Sequence, residues 1–116
     1  MRIEVRGRNV EVTDELREQV GQRFRRVGKQ VSELATLEVE LMEERNPSIT
    51  DHYVAEATLF LKGRTLRARE AEPEMIHAIH HAAEDIRRQV KKHRDKRRGR
   101  EKRSRRILAR MKRKPA

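Results

Sequence analysis

A two-layer α/β sandwich is the fold class this sequence predicts, with the order β-α-β-β-β-α and a four-stranded mixed sheet carrying two helices packed on one face. Three observations predict it. Apolar and polar residues alternate in four short stretches, and two other stretches space their apolar residues by three and four. Each helical stretch has a single apolar stripe. The sheet has one mainly apolar face, so both helices must cover that same side.

Arg2-Ile3-Glu4-Val5-Arg6 alternates and suits a short strand with Ile3 and Val5 on one face, before Gly7 and Asn9 turn the chain. Thr13 then offers a capping hydroxyl, followed by Asp14 and Glu15 where the helix macrodipole favours acids. Leu16, Val20, Phe24 and Val27 form one stripe, and Gly28 with Lys29 marks the helix end. A second strand over 37–43 points Leu37, Val39 and Leu41 one way and Glu38 and Glu40 the other. Asn46-Pro47-Ser48 signals a turn. Tyr53 to Leu61 is the strongest strand, with Tyr53, Ala55, Ala57, Leu59 and Leu61 on the core face and Val54, Glu56, Thr58 and Phe60 opposite. Lys62-Gly63 fits a tight hairpin into Arg64–Glu70, which turns Leu66 and Ala68 inward.

Pro73 is expected in the first turn of the second helix, beside Glu72 and Glu74. Ile76, Ile79, Ala83, Ile86 and Val90 supply its stripe, which ends near His93. The domain is therefore read as 1–97, with 98–116 as a basic, flexible tail that turns helical on binding. The strand-helix-strand opening favours a parallel pair joined by a crossover, and the later strands add as antiparallel hairpins.

Seventeen of the 30 Lys and Arg residues lie between Arg87 and Lys114, among only two acids, a net of +15; the preceding chain holds 13 bases against 17 acids, a net of −4. A mildly acidic body with a strongly basic end reads as a binder of polyanions, of which nucleic acid is the leading class. The chain has no cysteine, which excludes a disulfide framework and thiolate metal sites. Its apolar runs are too short for a membrane span, and Met1–Asn9 lacks the apolar segment of a signal peptide. A soluble, cytoplasmic protein with no cofactor, no metal and no small-molecule substrate is expected. No phosphate loop, nucleophile elbow or paired-carboxylate motif is present, so no enzymatic activity is expected.

On the second helix Arg87, Lys91, Arg94 and Arg98 step along one flank, while Arg88 and Lys92 take the other flank and the outer face. Lys96 belongs to the same run. On the first helix Arg25, Arg26 and Lys29 point away from the stripe and Arg23 lies at its edge. Two helices side by side would merge these groups into a patch suited to a phosphate backbone. Arg2, Arg6, Arg17 and Arg45 are read as solvated surface charges. His77, His81 and Glu84 have the spacing of a metal site, but on the face opposite the core stripe and without a third distant ligand, so solvent-facing histidines are preferred.

Asn9-Val10-Glu11-Val12-Thr13, then Leu16-Arg17-Glu18 and Val20, Ala55-Glu56-Ala57-Thr58-Leu59, Glu74-Met75 with Ala78-Ile79, and Arg88-Gln89-Val90-Lys91-Lys92-His93 together resemble the ribosome hibernation promoting factors, also called ribosome-associated translation inhibitors or stationary-phase ribosome factors. The resemblance covers nearly all of residues 2–97 in order and spacing. It implies the same β-α-β-β-β-α fold and a monomer, when free, that binds the small ribosomal subunit and its ribosomal RNA in the channel for messenger RNA and the A- and P-site transfer RNAs. The role it implies is blocking initiation in idle ribosomes. Basic residues matching the family's contacts are Arg23, Arg26, Lys29, Arg88, Lys91 and Lys92; Arg25, Arg87, Arg94 and Lys96 come from the charge map alone. Ile76 stands where family members often have an aromatic, and His80 where they often have an acid. A short basic tail in place of a second domain resembles the short class. Set against this are a double-stranded RNA-binding module not specific to ribosomes, whose element order lacks the opening strand, and an adaptor that binds protein with little salt dependence. Few aromatics (two Phe, one Tyr, no Trp) argue against a base-stacking platform.

Overall fold

A computed structural model describes residues 1–46 and 48–112. The elements are β1 (Arg2–Arg8), α1 (Asp14–Arg23), α2 (Arg25–Gln30), β2 (Thr36–Glu43), β3 (Tyr53–Leu61), β4 (Arg64–Glu72) and α3 (Met75–Lys112). The sheet order is β1-β2-β3-β4, with β1 parallel to β2 and the remaining pairs antiparallel. This is the expected mixed sheet with its helices on one face.

Period-two patterning sets the register. Ile3 pairs with Leu37, Leu37 with Leu59 and Leu59 with Leu66, so one row of apolar side chains crosses the whole sheet. Val5, Val39, Ala57 and Ala68 form the next. Over these rows pack Val20, Phe24 and Val27 from the first helical region, and Met75, Ala78, Ile79, Ala82, Ala83, Ile86 and Val90 from α3. Among the described residues no polar or charged side chain is buried. Fully burying a Leu, Ile or Phe contributes about 1.5–3 kcal/mol. The ion pairs of the surface, such as Arg69–Glu56 at 3.2 Å and Arg6–Glu40 at 3.5 Å, are half-exposed and contribute at most about 1 kcal/mol each. The aliphatic core therefore dominates.

Local chemistry explains the boundaries. Thr13 caps α1, its hydroxyl accepting from the Leu16 N–H at 3.2 Å. The expected single helix is divided at Phe24 (φ −93°, ψ 6°), although Phe24 N–H still donates to Val20 and its carbonyl still accepts from Gly28, so the buried stripe crosses the joint. Gly21 and Gly28 weaken this stretch by roughly 1 kcal/mol each relative to Ala, leaving the buried Phe24 ring to hold the joint. β1 runs past the expected turn to Arg8. Gly7 permits this: a Cβ there would collide with the Val10 carbonyl and come within 2.8 Å of Val12 Cγ2. Asn9 makes the turn at φ 58°. Asn46 Oδ1 accepts from the Ser48 N–H (3.1 Å) and hydroxyl (2.8 Å), as a turn there predicts; Pro47 of that motif lies outside the described residues.

At the second helix two expectations are corrected. Pro73 precedes α3 rather than entering its first turn, because β4 stays paired through Glu72, opposite Tyr53. Ile76 is 39% exposed, and the stripe instead uses Met75, Ala78 and Ala82. Both alternatives have helical period, and the sheet's position decides between them. α3 then continues beyond the core to Lys112, with every residue of 101–111 exposed. Residues 113–116 of the expected tail lie outside the described residues.

Candidate nucleic-acid interface

Topology brings the basic segments to one end of the molecule. β1 and β4 run the same way, since two antiparallel steps and one parallel step separate them. The helices that follow them therefore start at the same end of the sheet and run in the same direction. Their basic C-terminal portions arrive together at the opposite end, where the β3–β4 turn also lies. A shared hollow of about 150 Å³ records the meeting: Gln30 at the end of α2, Val31 and Ser32 after it, Leu61 and Lys62 at the turn, and Val90, His93, Arg94 and Arg97 of α3 line it.

The ten predicted residues divide into three groups around α3. Arg87, Lys91 and Arg94 take the flank toward α2, in step with one another at spacings of four and three. Arg26 faces them, close enough that its charge acts on Glu84. Arg23, three residues before Arg26, shares its side, while Arg25 and Lys29 occupy the outer side of α2. Lys92 and Lys96 lie on the opposite flank, lining a hollow with Arg64, Gln89 and His93. Arg88 is exposed on the crest between the flanks. The arrangement is a saddle over α3 rather than a flat patch.

Arg87 differs from the others. Its guanidinium donates to Glu84 at 2.9 Å, and both side chains are only 38% and 37% exposed. That hydrogen bond holds the Glu84 carboxyl below the usual glutamate range, assisted by the charges of Arg87, His80 and Arg26 against the opposing cost of burial. Glu84 thus neutralises one cation on the α2 flank, and Arg87 positions rather than presents its charge. Lys91, Lys92, Arg94 and Lys96 have no acidic partner among the described residues. His77 pairs with Glu74 at 3.8 Å and His81 with Glu72 at 3.5 Å, on separate acids, and no three potential metal ligands cluster among the described residues.

Two cations that sequence reasoning missed, Lys62 and Arg64, join this end, with Arg97 and Arg100 of the basic run that it did not single out. The turn Lys62-Gly63-Arg64 is readable as a hairpin but not as part of the basic surface, since that follows only from the strand directions. Arg97 and Arg100 continue the buried azimuth of α3 past Val90, where the helix leaves the sheet and the apolar stripe becomes cationic.

Residues 3–98 match the family described as sigma 54 modulation protein / S30EA ribosomal protein. The chain belongs to this family. The match ends where α3 loses its support from the sheet. Among curated relatives, a ribosome hibernation promotion factor of Picosynechococcus sp. is 29% identical over 97 residues, covering 83% of this chain and 50% of its own length. A ribosome hibernation promoting factor of Acinetobacter guillouiae is 27% identical over 99 residues, covering 81% and 88%. The chain thus spans half of the first relative and most of the second. Among solved structures, the Thermus thermophilus Protein Y N-terminal domain superposes with a TM-score of 0.67 at 27% identity, over 79% of this chain and 98% of that one. A ribosomal subunit interface protein from Coxiella burnetii gives 0.69 at 17% identity, over 82% and 99%, which speaks to fold alone. The S30EA assignment agrees with the resemblance noted in the sequence. No helix among the described residues is long and apolar enough to cross a membrane.

Proposed function

We propose that this protein is a ribosome hibernation factor that docks on the small ribosomal subunit, in the channel for messenger RNA and the A- and P-site transfer RNAs, and blocks translation there without chemistry. The observation that carries the reading is the gathering of basic segments from α2, α3 and the β3–β4 turn at one end of a fold whose relatives are named as hibernation factors. Exposed Arg23, Arg25, Arg26, Lys29, Arg88, Lys91, Lys92 and Lys96, with half-buried Arg94, face ribosomal RNA phosphates, and Arg87 anchors the α2 flank. Recognition is of shape and backbone, because side chains cannot read the deep major groove of an RNA helix. The body then fills space that other ligands need.

Co-sedimentation with purified small subunits across a salt series tests this. Neutralising six to ten phosphates lowers affinity by roughly 10³–10⁵ between 50 and 200 mM salt. An Arg88→Glu, Lys91→Glu, Lys92→Glu variant should fail to pellet at 100 mM salt, and initiator transfer RNA should displace the wild type. Unchanged pelleting of the variant removes the site assignment. Preference for long duplex RNA over subunits would instead favour a general double-stranded RNA binder.

A further inference from the structure

Beneath the overhanging part of α3 lies a hollow of about 540 Å³, lined by Lys62, Gly63 and Arg64 of the turn and by His93, Lys96, Arg97 and Arg100. We infer that this hollow is a second phosphate-binding site, distinct from the α2–α3 flank, which clamps consecutive phosphates of a single RNA strand.

The first argument is charge. Five cations and a histidine converge with no carboxylate in the lining, and Lys62, Arg64, Lys96 and Arg100 have no acidic partner among the described residues. Arg97 reaches only Glu101, at 3.9 Å. Such convergence opposes folding unless an anion occupies it. The second argument is shape. The hollow adjoins another of about 210 Å³ lined by Arg64, Gln89, Lys92, His93 and Lys96. Together they form a track along α3 from Gln89 to Arg100, a helical rise of about 16 Å. A track of that length exceeds one oxyanion and suits a chain of them. No aromatic lines it, so it grips the backbone and leaves the bases unread.

The third argument concerns the turn. Gly63 holds φ 76°, which lets Lys62 and Gly63 form a two-residue hairpin loop closed by the Leu61–Arg64 pair, and the space beyond the Gly63 Cα is open. A rigid two-residue loop thus opposes a helix, with cations on both jaws. The inference rests on the ribosomal reading only for which RNA supplies the strand.

The test uses the full chain. Amide shifts of Gly63, Arg64, His93 and Arg97 are followed by NMR during titration with a twelve-residue oligouridylate and, separately, with inorganic tripolyphosphate. The oligonucleotide should shift all four at lower phosphate concentration than tripolyphosphate. Saturation by tripolyphosphate with no response to the oligonucleotide overturns the strand assignment. In parallel, Lys62→Gln with Arg64→Gln should reduce the slope of log affinity against log salt for small subunits by about 2, one for each phosphate left without its cation. The helix-side pair Arg97→Gln with Arg100→Gln should do the same. Subunit binding with the wild-type slope in both variants removes the clamp and leaves the ribosomal reading standing. Shifts with the oligonucleotide in a protein that ignores subunits keep the clamp and remove the ribosomal reading.

Discussion

At the residue scale the informative side chain is Glu84, an acid set among Arg26, His80 and Arg87. Its folded value lies below its ordinary one near 4.5, so folding favours the ionised form. The stability this supplies is present above the unfolded value and is lost as pH falls through the depressed folded value. Because the pair is more than a third exposed, its worth is below about 1 kcal/mol. Urea unfolding at pH 6 and pH 3 should therefore show the wild type losing more stability than Glu84→Gln, whose curve lacks this one titration. Equal losses in both proteins would mean that the ion pair is broken in solution. The sequence does not reveal the two residues as a pair: Glu84 reads as a possible metal ligand and Arg87 as a free cation. Spacing by three on a helix permits them to meet, but the half-burial that makes the bond matter is a product of tertiary packing, which local sequence does not show.

Among elements, the strands are the most legible. Leu37, Val39, Leu41, Ala55, Ala57, Leu59, Leu66 and Ala68 are all buried as alternation requires. A period of two leaves only two faces, so one strong row fixes the register of the rest. Helices are less constrained, which is why the stripe places Ile76 where the structure uses Met75, and why periodicity runs unbroken across the joint at Phe24. Phe60, 40% exposed, and Val54, 7% exposed, share the open face, a difference set by neighbours: Val54 sits between Met42 and Ala71, and Phe60 between Thr36 and Thr65. The last part of α3 makes its own prediction. Residues 101–111 pack on nothing, and cations recur four apart at Lys102, Arg106 and Arg110, a repulsive arrangement in an exposed helix. Truncation after residue 97 should leave the melting temperature within about 2 °C, since it removes no core residue. Hydrogen exchange over 101–111 should be fast in the free protein and slow with small subunits bound. A large drop in melting temperature on truncation would show that the arm supports the fold.

The whole molecule is 75 Å long and 28 Å across, a body of net −4 with a cationic end of net +15. The uncovered sheet face, by contrast, carries charge of both signs. Glu4 lies opposite Glu38, and Glu40 opposite Glu56, but Arg6 pairs with Glu40 and Arg69 with Glu56, and with Arg2, Arg8 and Arg67 the face carries five cations against four acids. The charges of this face nearly cancel, whereas the saddle presents cations without acidic partners, so a phosphate backbone is drawn to the saddle more strongly than to this face. Like charges directly opposite in a sheet cost a few tenths of a kcal/mol, so Glu4 and Glu38 are retained at some expense to stability. Glu38→Lys places a cation opposite Glu4 and should raise the melting temperature slightly. Combined with Thr58→Lys, its partner on β3, it changes the face by three charges. Affinity for long duplex RNA in dilute salt should then rise several-fold, because both sides of the molecule now attract phosphate. Affinity for small subunits should rise less, because the proposed docking through the saddle turns this face outward. Equal gains for both RNAs would mean that the near-neutral sheet face has no part in orienting the protein, and that the saddle alone sets its direction of approach.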